Sequence, residues 1–125
     1  MKLLIVDDNA AVRRLIAGIL QPFAGEIREC ADGADALAAY QAQRPDLVLM
    51  DIRMPRVDGI QATKQIRAAH PDARIIVVTD YDDSRLREAA MDAGACAYAL
   101  KDNLPDLIRL LEAMQGRPGP SGTDV

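Results

Sequence analysis

The sequence predicts an α/β protein with a doubly wound, five-stranded parallel sheet. Short apolar segments alternate five times with segments of helical periodicity, which is typical of repeated β-α units. The segment 47–50, Leu-Val-Leu-Met, is apolar without alternation, as in a strand buried on both faces. The 125 residues, of which 50% are hydrophobic, suffice for one domain with its own core.

The first half of the chain supplies the elements before the central strand. Lys2 to Val6 forms a strand, and the Asp-Asp-Asn sequence at 7–9 ends it and offers a helix cap. Ile27 to Cys30 forms a charged strand that suits a sheet edge. Asp32 caps an alanine-rich helix from about Gly33 to Gln43. The first helix is predicted to turn inward the residues Val12, Leu15, Ile16, Ile19 and Leu20.

The second half repeats the pattern. Asp58, with Gln61 three residues later, resembles a capping box and begins a helix to about Ala69. Arg74 to Thr79 is a β-branched strand, and Ala97 to Leu100 is the last strand. The fourth helix, capped by Asp83 or Ser84 and ended by Gly94, turns inward Leu86, Ala89, Ala90 and Ala93, and the fifth turns inward Leu104, Leu107, Ile108, Leu111 and Met114.

Right-handed crossovers and the charged second strand favour the strand order 2-1-3-4-5. This order places the second strand at an edge and the first strand beside the third. The domain is predicted over residues 1–115. Residues 116–125 are rich in glycine and proline and predict a disordered tail or linker.

Composition excludes several classes of function. A net charge of −4 and the absence of tryptophan argue against nucleic acid as a partner of this domain. The apolar stretch at 3–6 is too short for a signal peptide or a membrane span, so we expect a cytoplasmic protein without membrane contact. Cys30 and Cys96 are expected to be reduced thiols that pack as small apolar residues.

Three carboxylates are predicted to meet at the carboxyl edge of the sheet. Asp7 and Asp8 follow the first strand and Asp51 follows the third, and adjacent strands lie about 4.8 Å apart. Carboxylates this close repel one another unless a cation lies among them. Oxygen ligands in a wet site favour Mg²⁺.

The next two strands end on Thr79 and Lys101, which add a hydroxyl and an ammonium group. A cation site with these donors predicts a phosphoryl site. The only histidine, His70, precedes Pro71 at the opposite edge of the sheet and is expected to be an exposed loop residue. Because the sequence shows no Ser-His-Asp or Cys-His set, the nucleophile is predicted to be Asp51, which can form an acyl phosphate.

The ordered set of these residues resembles the response-regulator receiver domains of two-component signalling, which have a flavodoxin-like fold. The resemblance covers about Met1 to Met114. It depends on the acidic pair at 7–8, on Asp51 in Asp-Ile-Arg-Met-Pro-Arg-Val-Asp-Gly, on Thr79 and on Lys101.

The resemblance implies a magnesium-dependent phosphoacceptor that assists its own phosphorylation and dephosphorylation rather than an enzyme. Asp51 would take a phosphoryl group from the phosphohistidine of a histidine kinase and would also bind Mg²⁺. Asp8 would bind the metal directly, Asp7 through water, and Arg53 through its backbone carbonyl.

The resemblance also implies a switch. Lys101 would pair with the phosphoryl oxygens, and Thr79 would donate a hydrogen bond to one of them. The space that Thr79 leaves would admit the aromatic ring of Tyr98, and the surface of the fourth helix, fifth strand and fifth helix would change. Arg85 and Arg87 lie on that surface and are expected to be solvated or to contact a partner.

The segment 93–102 is most similar to receivers of the LuxR type, which precede a helix-turn-helix domain. This implies transcription regulation, a homodimer on phosphorylation, and DNA binding only through an output domain absent from this chain. Whether the chain is a fragment or acts alone stays open.

Two positions depart from the family pattern. Asp80 stands where a small residue is common, and its charge is expected to disfavour small anionic donors such as acetyl phosphate. Asp102 stands where proline is common, so a trans peptide bond is expected after Lys101.

Two other classes compete with the switch. A Mg²⁺-dependent phosphohydrolase working through an aspartyl phosphate usually has a second carboxylate two residues after the nucleophile, where this chain has Arg53. A flavin-binding module would need Ser, Thr and Gly in the loop at 7–9, where two aspartates would repel phosphate.

Overall fold

The computed structural model describes residues 1–115, and the tail predicted at 116–125 lies outside this range. The sheet is parallel throughout and has the order β2-β1-β3-β4-β5, which confirms the predicted fold class and strand order. The strands are β1 (Lys2–Val6), β2 (Glu26–Cys30), β3 (Leu47–Met50), β4 (Ile75–Thr79) and β5 (Ala97–Leu100).

Helices cover both faces of the sheet. Short 3₁₀ turns at Gln21–Phe23 and Gly33–Asp35 supplement them. None of the helices in the described range combines the length and apolar character needed to cross a bilayer. The helices are α1 (Ala10–Leu20), α2 (Ala36–Gln43), α3 (Gly59–Ala69), α4 (Ser84–Asp92) and α5 (Leu104–Gln115).

The side chains of the three inner strands, β1, β3 and β4, alternate between two buried layers. Leu3, Ile5 and Leu49 pack with α1 and α5, where Leu107 and Leu111 are fully buried. The other layer contains residues of β1 and β3 together with α2 and α3: Leu4, Val6, Val48, Met50, Tyr40 and Ile66. Because both faces of β1 and β3 are covered, these strands carry apolar residues at every position after Lys2.

The predicted helix caps are largely confirmed. The side chain of Asn9 accepts hydrogen bonds from the backbone N–H groups at the start of α1, Asp58 does so for α3, and Asp83 for α4. Asp32 caps the 3₁₀ turn at Gly33–Asp35 instead, so α2 begins three residues later than predicted.

Three side chains differ from their predicted environments. Leu15 is 57% exposed, because Ile16 and Leu20 occupy the buried face of α1. Cys96 is exposed just before β5, whereas Cys30 is buried as expected. His70 is partly buried rather than exposed, because its ring packs 4.9 Å from that of Tyr40.

The strand register brings the predicted site residues together. Val6 is paired with Met50, so Asp7 and Asp51 follow neighbouring positions, and the N–H of Asp51 donates to the carbonyl of Val6 at 2.8 Å. Thr79 is paired with Leu100, which places Lys101 just beyond Thr79 at the same edge. The fold therefore creates one polar site at the carboxyl ends of the strands.

Candidate functional site

The predicted carboxylate cluster is present at the carboxyl edge of the sheet. Asp7, Asp8 and Asp51 each offer an oxygen, and these oxygens all lie within 4.8 Å of one another. Asp7 is 2% and Asp51 7% exposed, whereas Asp8 faces solvent. An oxygen donor set that is open to water on one side fits Mg²⁺, which retains several water ligands.

Lys101 supplies the positive charge at this cluster. Its Nζ lies 2.7 Å from Oδ2 of Asp7 and 3.3 Å from Oδ1 of Asp51. Burial of the ammonium opposes its charge, but the two carboxylates outweigh this effect and raise the pKa of Lys101 above its usual value. The lysine therefore stays protonated and partly compensates two buried negative charges.

The carboxyl group of Asp51 retains its proton more strongly than an ordinary aspartate. Burial and then the charge of Asp7 raise its pKa to about 6, although Lys101 acts in the opposite direction. One ammonium thus leaves the cluster short of positive charge, and a further cation would be stabilised there.

These groups line a pocket of about 250 Å³ that is wide enough for a phosphoryl group and several waters. A hollow of about 310 Å³ between α1 and β2 is larger, but its lining carries no ionisable side chain, so the chemistry belongs to the smaller pocket. The lining residues of the smaller pocket are Asp7, Asp8, Asn9, Val12, Asp51, Arg53, Asp80, Tyr81 and Lys101.

Arg53, Asp80 and Tyr81 form the rim of this pocket. The guanidinium carbon of Arg53 lies 4.6 Å from the centroid of the Tyr81 ring, a cation–π contact. Asp80 is exposed beside them. The position of both rim loops follows from strand ends, but no sequence signal predicts that the arginine and the tyrosine touch.

Thr79 and Tyr98 lie behind the pocket rather than among its lining residues. Thr79 is fully buried, and its hydroxyl oxygen accepts a hydrogen bond from the N–H of Tyr81 at 3.3 Å. The hydroxyl of Tyr98 donates to the carbonyl of Tyr81 at 2.7 Å, and Arg87 stacks over the Tyr98 ring at 4.6 Å. The Tyr98 ring is therefore buried already, and Tyr81 links it to Thr79.

Two features of the strand ends complete the geometry. Arg13 was not singled out from the sequence, yet its guanidinium donates to the carbonyl of Asp7 at 2.6 Å and pairs with Glu29 at 2.9 Å. The peptide bonds of residues 1–115 are all trans, which confirms the trans bond predicted before Asp102.

The fold and the site together define a flavodoxin-like α/β protein with three clustered carboxylates and a lysine at the switch point of its sheet. The response regulator receiver domain family matches residues 3–114, and the chain belongs to this family. The predicted fold class and the resemblance drawn from the residues are both confirmed.

Several known proteins are similar to the chain. The uncharacterized transcriptional regulatory protein YhcZ of Bacillus subtilis is 43% identical over 111 residues, which make up 85% of this chain and 50% of that protein. A LuxR-family two-component response regulator from an Aurantimonas species superposes with a TM-score of 0.85 at 32% identity, covering 97% of this chain and 89% of that one.

A chain of the CheX-CheY-BeF3-Mg²⁺ complex from Borrelia burgdorferi superposes with a TM-score of 0.80 at 28% identity, covering 91% of this chain and 89% of that one. The chain spans about half the length of the curated relatives it matches.

Without metal, we expect Asp51→Asn to stabilise the fold in a pH-dependent way. The pKa of Asp51 is about 6 in the folded state and 3.8 ordinarily, so the folded state binds the proton more tightly and loses stability as the pH rises through this window. The asparagine variant avoids this cost, about 2 to 3 kcal/mol at full ionisation. Urea unfolding in EDTA from about pH 4 to pH 8 measures it.

The stability gained by Asp51→Asn should be present above pH 6, the approximate folded-state pKa of Asp51, and should vanish near its ordinary pKa of 3.8. Asp72→Asn, an exposed change at the opposite edge of the sheet, serves as the control and should show no such trend. A wild-type protein that gains stability relative to Asp51→Asn between the two pKa values would contradict the predicted electrostatics.

Proposed function

We propose that this receiver domain is a phosphorylation-activated switch that accepts a phosphoryl group on Asp51 from the phosphohistidine of a partner kinase. The observation that carries the proposal is the cluster of Asp7, Asp8 and Asp51 in a pocket at the sheet edge, with Lys101 in contact with Asp7 and Asp51. The carboxyl group of Asp51 is mostly ionised at neutral pH, since its pKa is about 6.

The proposed transfer needs no separate catalytic base. A carboxylate oxygen of Asp51 attacks phosphorus, the bond between phosphorus and the histidine nitrogen breaks, and the imidazole leaves with the bonding electron pair and takes up a proton. The product is an acyl phosphate on Asp51. In this proposal Lys101 pairs with the phosphoryl oxygens, and the Thr79 hydroxyl donates a hydrogen bond to one of them.

The metal ligands follow the resemblance and fit the donor set. Asp8 would bind Mg²⁺ directly, Asp7 through water, and Asp51 and the backbone carbonyl of Arg53 would complete the protein ligands. Bound Mg²⁺ would reduce the repulsion between the phosphoryl group and the aspartates. The CheX-CheY-BeF3-Mg²⁺ complex from Borrelia burgdorferi contains a chain with the same fold, which supports magnesium as the metal of this site.

We further propose a cytoplasmic regulator of transcription whose partners are a histidine kinase and, on phosphorylation, a second copy of the chain. The names of the relatives, which are transcriptional regulatory proteins and response regulators, support this role. DNA would be bound only through an output domain. The same names do not favour the phosphohydrolase alternative, and Arg53 occupies the position where that enzyme would need a carboxylate.

A phosphoryl donor and Mg²⁺ should add one phosphoryl group to the wild-type chain. Intact mass and peptide mapping should place it on Asp51 and show that EDTA prevents it. Asp51→Asn should remain unmodified, and Asp72→Asn should react like the wild type. Modification at another residue, or at Asp51 without metal, would contradict the proposal, and sustained turnover of a phosphate ester would favour the phosphohydrolase.

The proposed switch uses the contacts of Tyr81. Thr79 cannot move its hydroxyl toward a phosphoryl group without loosening the hydrogen bond from the N–H of Tyr81. The carbonyl of Tyr81 in turn holds the hydroxyl of Tyr98, beside Arg87 on α4. Phosphorylation would thereby change the populations of the α4–β5–α5 surface.

We expect Thr79→Val to separate modification of Asp51 from the response at Tyr98. With ring-labelled tyrosine, the beryllofluoride and Mg²⁺ adduct of the wild type should shift the NMR signals of Tyr81 and Tyr98. Tyr40, at the far edge of the sheet, is the internal control. In the variant the adduct should form while the Tyr98 signal stays unshifted, and an equal shift would show that the hydroxyl does not couple them.

Asp80→Ala should accelerate phosphorylation by acetyl phosphate by about threefold at low salt, because one exposed charge at the pocket rim is removed. The rate is followed by the mass gain at Asp51. Asp82→Ala removes an equal charge from the same loop outside the pocket lining and is the matched control. If both variants react at the wild-type rate, the charge of Asp80 does not limit entry of the donor.

A further inference from the structure

A buried carboxylate outside the pocket holds the loop that leads out of the site. Asp32, in the turn after β2, is 6% exposed. Its oxygens accept hydrogen bonds from three backbone N–H groups: Ala34 at 2.8 Å, Arg56 at 3.1 Å and Val57 at 3.3 Å. The bond from Ala34 is a local cap, but the other two cross to the loop between β3 and α3.

The loop between β3 and α3 also packs closely against two glycines, Gly33 and Gly59, where a side chain would not fit. A Cβ on Gly33 would lie 2.2 Å from the carbonyl oxygen of Val57, and one on Gly59 would lie 1.7 Å from that of Asp51. The N–H of Gly59 donates to the carbonyl of Ile52 at 2.7 Å. The turn at 32–33 and the start of α3 therefore hold the backbone of 51–58 from both ends.

We infer that Asp32 is a positioning residue for the cation site, because it fixes the loop on which the backbone carbonyl of Arg53 is carried. Arg53 lines the pocket, and the anchored residues Arg56 and Val57 follow it in the same loop. This inference rests on the proposed function, in which that carbonyl binds Mg²⁺. Groups that orient metal ligands affect metal affinity without touching the metal.

The backbone hydrogen bonds, rather than an ion pair, hold the loop. The Arg56 side chain is 62% exposed, with Nε 3.7 Å from Oδ2 of Asp32 and Nη2 2.7 Å from Oδ2 of Asp35. Exposed ion pairs of this kind contribute little. The N–H of Ala34, followed by those of Arg56 and Val57, lowers the pKa of Asp32 against the effect of burial, so the carboxylate remains charged and accepts all three bonds.

Calorimetric titration of the full chain with Mg²⁺, without a phosphoryl donor, tests this role. Asp32→Asn places an amide N–H₂ group against one of the loop N–H donors and should weaken Mg²⁺ binding by about tenfold. Asp35→Asn removes the ion pair with Arg56 but leaves the loop bonds intact. This control should bind Mg²⁺ like the wild type.

A second variant removes one of the two carboxylate oxygens. Oδ1 of Asp32 accepts from the N–H groups of Ala34 and Val57, whereas Oδ2 accepts from that of Arg56. Asp32→Ser keeps an acceptor for the N–H of Ala34, since serine is a good helix cap, but it has no second oxygen for Arg56. It should also weaken Mg²⁺ binding, with urea unfolding confirming that the variant is folded. If Asp32→Asn does not fold, Asp32→Ser carries the test.

The metal dependence of phosphorylation provides an independent readout. In the Asp32 variants the half-saturating Mg²⁺ concentration should rise by the same factor, while the rate at saturating Mg²⁺ stays at the wild-type level. A folded Asp32 variant with wild-type Mg²⁺ affinity, or an equal loss of Mg²⁺ affinity in Asp35→Asn, would overturn the positioning role of Asp32 but not the proposed function. A wild-type chain that binds no Mg²⁺ would overturn the proposed function with it.

Discussion

The repulsion between two buried carboxylates is the interaction on which the rest of the site depends. The register of β1 and β3 places Asp7 and Asp51 side by side, and hydrogen bonds of the sheet prevent them from moving apart. Burial, and then the charge of Asp7, raises the pKa of Asp51. Lys101 compensates only part of this charge, so a further cation would be stabilised in the site.

The strand order explains why a lysine fills this role. Lys101 follows β5, which is separated from β3 by β4, so two strand spacings of about 10 Å in total lie between the lysine backbone and that of Asp51. A long side chain can cross the end of β4 and reach both carboxylates. Thr79, which ends β4, lies buried on this route.

The ends of the strands could be predicted because apolar runs stop abruptly at Asp7, Asp51, Thr79 and Lys101, and parallel strands present those ends at one edge. Side-chain environments could not be predicted as well. Helical periodicity predicts both Leu15 and Ile16 on the buried face of α1, but in the structure only Ile16 of the two is buried.

Contacts between loops were beyond sequence analysis altogether. Asp32 has the pattern of a local helix cap, and nothing in the chain indicates that its carboxylate also reaches Arg56 and Val57 in the loop after β3.

The two loops that leave the pocket are held by different contacts. The β3–α3 loop has backbone hydrogen bonds to Asp32 and two close approaches to glycines that leave no room for a Cβ. Residues 80–83 instead have a 3.3 Å hydrogen bond to Thr79, the 2.7 Å hydrogen bond from Tyr98, an exposed cation–π contact and the Asp83 cap of α4. On the proposed function, a new charge at Asp51 acts on residues 80–83 through Thr79, because the hydrogen bond of Thr79 to Tyr81 joins the two. The carbonyl of Tyr81 lies in that loop and holds Tyr98, so the response is directed toward α4 rather than α3.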